Sequence, residues 1–61
     1  MTNEEQAGYN FGLAWARQNN KNEKNTEDIA RFAARAFRVL SKKFGFQVEA
    51  VLTKLLEREY E

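Results

Sequence analysis

Apolar positions recur along this chain at helical spacing, and no stretch alternates in the two-residue rhythm of a strand. Ile29, Phe32, Ala33, Ala36, Phe37, Leu40 and Phe44 fall on one stripe of a 3.6-residue period. Val48, Val51, Leu52, Leu55 and Leu56 make another, with Tyr60 at its edge. Between them stands Gly45, which takes the left-handed cap conformation at no steric cost and so ends the first of these helices. The stripe also changes phase there, which predicts a tight corner and not a straight rod. Phe44 and Phe46 are expected to clasp across it.

The N-terminal segment reads as a helix of a different kind. Thr2 and Glu5 have capping-box spacing. Ala7, Phe11, Ala14 and Trp15 project onto one face, and Gly8, Gly12 and Ala16 onto a second. Tyr9 and Leu13 lie on a third face, roughly opposite the first. Interior glycines each cost a helix about 1 kcal/mol relative to alanine, so two in register point to close approach by another backbone. The favoured occupant is the second or third helix; a partner, or a second copy, is the alternative. The polar run Asn19-Asn20-Lys21-Asn22-Glu23-Lys24-Asn25 reads as the main loop, because asparagine tolerates left-handed backbone and competes for its hydrogen bonds. The second helix is then expected to open at Asn25 or Thr26.

The pattern thus predicts an all-α, compact three-helix bundle in one domain, residues 1–61. Its helices span about 3–19, 26–44 and 47–60, with the glycine corner between the second and third. Trp15 and the phenylalanines are expected at its centre. Tyr9, Leu13 and Val39 fall off the main stripes and are candidates for surface contacts. Burial and ordering nearly cancel for a chain this small, so it needs either a tight monomeric core or extra area from dimerisation.

Composition narrows the chemistry. The chain holds 43% apolar and 31% charged residues, which fits a globular domain and not a disordered tail. Histidine and cysteine are missing altogether, so imidazole acid–base chemistry, disulfides and Cys/His zinc sites are excluded. Ser41 and Thr53 have no histidine to activate them, and no phosphate-cradling glycine loop occurs. No enzyme, cofactor or metal is expected. Neither a signal peptide nor a membrane span is visible, and the expected location is the cytoplasm.

Charge is balanced overall at +1 but unevenly placed: residues 26–46 sum to +3 and residues 47–61 to −2. Arg31, Arg35, Arg38 and Lys42 form a row on the second helix, nearly opposite its apolar stripe. The row is either a solubilising face, paired with Glu27 or the acidic third helix, or a docking strip. Guanidinium groups grip carboxylates and phosphates bidentately, which favours an acidic protein partner for such a strip. The expected function is a small non-enzymatic interaction module, a regulator or inhibitor of a larger protein. It would bind through Arg31, Arg35, Arg38 and Lys42 and through the aromatic and small-residue face around Tyr9 and Leu13, or pair with itself there.

The segment Leu40-Ser41-Lys42-Lys43-Phe44-Gly45-Phe46-Gln47-Val48-Glu49-Ala50-Val51-Leu52 resembles a helix-turn-helix corner, which makes DNA binding the alternative function. Two departures weigh against it. The turn lacks a polar cap, and the helix that would read bases offers Gln47, Glu49, Ala50, Thr53, Lys54 and Glu57 from an acidic segment.

Overall fold

A computed structural model describes residues 2–61. Three α-helices run Asn3–Gln18 (α1), Glu23–Phe44 (α2) and Val48–Tyr60 (α3), and no strand occurs among the described residues. No helix among these residues is long and apolar enough to cross a membrane. The chain is all-helical, but the third helix is not a separate rod. A single 3-10 turn, Gly45–Gln47, joins α2 to α3 directly. Residues 23–60 therefore form one helical run bent at Gly45, against which α1 folds back.

Each end of α1 is fixed by its own side chains and turn. Thr2 accepts from the Glu5 amide at 3.1 Å, while the Glu5 carboxylate accepts from the Thr2 amide at 3.0 Å. That bond from the Thr2 backbone is the chief reason the Glu5 carboxyl sits below its ordinary pKa. At the other end Asn20 takes a left-handed φ of 59°, the Lys21 amide donates to the Ala16 carbonyl and the Asn20 amide to that of Arg17. This is a Schellman closure with asparagine in the usual glycine position.

The linking loop is shorter than the sequence pattern predicts, and α2 opens at Glu23 instead of Asn25 or Thr26. Asn22 is the reason. It adopts extended backbone and its side chain accepts from the Asn25 amide at 2.8 Å, so the cap lies three residues early. Thr26 becomes an interior residue, buried, with its hydroxyl donating to the Lys21 carbonyl at 3.3 Å.

Helix α1 meets α2 closely at its two glycines, against Ala30, Ala33, Ala34 and the base of Phe37. Ideal β-carbons placed on Gly8 would fall 2.4 Å from the Phe37 β-carbon and 2.5 Å from the Ala33 carbonyl oxygen. On Gly12 they would fall 2.7 Å from the Ala33 β-carbon and 2.8 Å from the Ala30 α-carbon. Helix α2 thus fills the glycine groove of α1, and Ala30, Ala33 and Ala34 are buried by it. The small-residue part of the predicted partner face is therefore internal. Ala7 and Ala14, which share a projected face with Phe11 and Trp15, are exposed.

Trp15 is buried as expected, packed in one cluster with Ile29, Ala33, Leu52 and Leu56. The phenylalanines are not at its centre. Phe11, Phe32 and Phe37 pack around the cluster only partly buried, and the fully buried large side chains are Ile29, Leu52 and Leu56. Nor do Phe44 and Phe46 clasp: they are 37% and 94% exposed. Gly45 has φ 58° and ψ −126°, backbone open to glycine alone, and helix resumes at once after it. Phe46 is then carried outward while Val48, Leu52 and Leu56 take the inward directions.

Lys21 ties the two ends of the fold together. Its ammonium donates to the Tyr60 carbonyl at 2.8 Å and lies 5.9 Å from the centre of the Trp15 ring. A cation there meets the negative end of the α3 dipole and the face of an indole.

Candidate functional site

Helix α2 is packed on both sides, by α1 and by α3, which leaves one outward edge. Arg31, Arg35, Arg38 and Lys42 all stand on that edge and are exposed. Arg31 pairs with Glu27 one turn back, and an Arg38 Nη1 lies 3.9 Å from Glu5 Oε2 on α1. Exposed pairs of this kind contribute about 0–1 kcal/mol and leave the guanidiniums able to exchange partners. Arg35 and Lys42 make no ion pair among the described residues. Of the two expected sources of partners, Glu27 is the one taken, by Arg31; among the described residues no ion pair reaches α3, and Glu5 of α1 faces Arg38 instead.

Depressions lie on both sides of this ridge. Towards α1, Tyr9 shares a crevice with Glu5, Arg31, Ala34 and Arg35. One turn along, Tyr9 and Leu13 border a second hollow with Arg17 and Glu27. The glycine packing is what brings them there. Once Gly8 and Gly12 seat on Ala33 and Ala30, their neighbours Tyr9 and Leu13 are carried to the seam, Tyr9 beside Arg31 and Arg35 and Leu13 beside Glu27. The two predicted surfaces are therefore adjacent, and both Tyr9 and Leu13 are half-buried.

Towards α3 the ridge borders an open groove of about 620 Å³. Phe32, Ala36, Leu40 and Leu55 line it, with Val39 at its rim and Asp28 at one end. Val39 is 66% exposed. No protein-family model, curated protein or solved structure matches this chain.

Titratable chemistry is sparse. No group of three or more Asp, Glu, His or Cys among the described residues is placed to hold a metal ion. Tyr60 packs edge-on against Phe32 with ring centres 5.6 Å apart. Burial, and then the carboxylates of Asp28 and Glu59, raise its phenol above the ordinary tyrosine value. The folded state thus resists forming the phenolate. Its contribution to stability is complete below the ordinary tyrosine pKa and is lost as pH rises through the raised one. In a Tyr9→Phe background, absorbance at 295 nm is expected to follow Tyr60 alone, and Asp28→Asn to lower its midpoint. An unchanged midpoint would remove Asp28 from the surroundings of Tyr60.

Proposed function

We propose that this chain is a protein-binding module that regulates or inhibits a larger protein by covering an acidic surface on it. The observation that carries this reading is the crevice that Tyr9 shares with Arg31 and Arg35, with Leu13 in the next hollow along the same seam. Tyrosine and arginine dominate interface hot spots. Here they stand side by side, and Arg35 has no ion-pair partner among the described residues. Arg38 and Lys42 extend the strip and steer an acidic partner into register, an effect that weakens with salt. A compact module of this kind in the cytoplasm needs no cofactor to act.

The test is capture of a partner on immobilised chain, its identification by mass, and titration with variants. Arg35→Glu and Leu13→Asp are each expected to weaken binding by about tenfold or more, or ~1.4 kcal/mol. Arg35 is exposed, so its variant keeps the fold; circular dichroism checks the Leu13 variant. A partner held equally by both variants would mean that another surface acts. Tight, salt-sensitive DNA binding lost in Arg38→Glu would move the assignment to the nucleic-acid alternative.

A further inference from the structure

We propose that the groove between α2 and α3 receives an acidic amphipathic helix of the partner protein. This deepens the reading above, assigning the arginine ridge a second wall and the occupant a shape. From Asp28 to Leu40 the groove runs along α2 for twelve steps of the helical rise, about 18 Å, or roughly three turns of a bound helix. Its floor is apolar: Phe32, Ala36 and Leu40 from one helix and Leu55 from the other. Arg31 and Arg35 stand along one wall, and Val39 offers its methyls to whatever enters.

A helix fits this surface better than the other occupants. No sheet edge among the described residues could extend an incoming strand. A helix presenting apolar side chains at i, i+4 and i+7 lays them on the floor, in the helix-in-groove mode. Carboxylates along one flank of that helix would then meet the two guanidiniums bidentately. A second copy of this chain, docked two-fold through the same edge, would set the arginine row against itself, because such an interface brings one patch onto its own image. Nucleic acid would meet an apolar floor that offers phosphates nothing.

The probe is a labelled, side-chain-stapled peptide of about fifteen residues, long enough for the three turns. It carries leucine at i, i+4, i+7 and i+11 with glutamate beside them. Two controls accompany it: one with lysine for glutamate, one with the same composition scrambled. Saturable rise in fluorescence anisotropy is expected with the acidic helix alone. Amide shifts in the nitrogen–proton spectrum should centre on residues 28–40 and Leu55. Val39→Glu and Arg35→Glu should each weaken binding at least tenfold, whereas Glu49→Gln, exposed on α3 and outside the groove, should not. No saturable binding, equal binding of the scrambled peptide, or shifts elsewhere would overturn the proposal. So would groove shifts that change on dilution without peptide, since a second copy would then cover it. If a captured natural partner depends on Arg35 and Leu13 but not on Val39, the protein-binding function stands and the groove assignment falls.

Discussion

Gly8→Val is expected to abolish the native fold. Even one β-carbon at this position falls within 2.9 Å of the Phe37 β-carbon, the Ala33 carbonyl oxygen and the Ala34 α-carbon. Two of those atoms are backbone and the third is fixed to it, so no rotamer change relieves the clash. The helices must separate instead, which opens contacts along the whole seam. Overpacking by a single methyl group costs about 1–3 kcal/mol. Alanine would recover about 1 kcal/mol of that through helix propensity. Valine adds two more methyl groups and recovers less, being β-branched. A domain of 61 residues has roughly 3–9 kcal/mol of stability in all. Urea melts followed by circular dichroism should show Gly8→Val unfolded or nearly so at zero denaturant; wild-type stability would refute the packing described. Gly45→Ala provides the contrast. An added β-carbon there meets nothing within 4 Å, so the cost is backbone strain alone, ~1–3 kcal/mol.

Leu52→Ala should remove about 2–5 kcal/mol, the usual range for truncating a fully buried leucine. Leu52 is completely shielded and clusters with Trp15, Ile29 and Leu56. Its loss leaves a cavity where α3 closes over the core. The same melts, read by the fluorescence of Trp15, should shift to much lower urea, with the indole emission moving to the red before the helices melt. A loss below about 1 kcal/mol would mean that α3 packs more loosely than described.

These two predictions mark where the sequence was legible and where it was not. The stripes of α2 and α3 state their own burial, because isoleucine and leucine gain most from leaving water; Leu52, Leu56 and Ile29 are the result. The glycine pair gives an equally direct signal of close approach, and the occupant proved to be α2. What pattern alone could not weigh was alanine. Ala30 and Ala34 contribute little to an apolar stripe, yet their lack of bulk is what lets α1 and α2 meet backbone to backbone. That widened the buried face of α2 beyond the predicted stripe and displaced the phenylalanines to its margins. The early start of α2 has a similar origin. Four asparagines in one loop compete for the cap, and only geometry selects Asn22.

The candidate surface was legible in its parts but not in its assembly. Periodicity alone put Arg31, Arg35, Arg38 and Lys42 on a solvent face and set Tyr9, Leu13 and Val39 off their stripes. Their mutual placement depends on the register between α1 and α2, which Gly8 and Gly12 set. The groove beside Val39 requires α3 to lie along α2, a consequence of the bend at Gly45 that the pattern of either helix alone does not contain. Lys21 gave no signal at all, since its partner is a backbone carbonyl thirty-nine residues away.

Helix α2 of the same chain fills the glycine groove of α1, and this places Tyr9 beside Arg31 and Arg35. Isotope-filtered nuclear Overhauser spectra on mixed labelled and unlabelled chains test it most directly. Contacts from the α-protons of Gly8 to Phe37, and of Gly12 to Ala33, should appear within one chain and vanish from the between-chain spectrum. Their appearance between chains, or in neither spectrum, would contradict it.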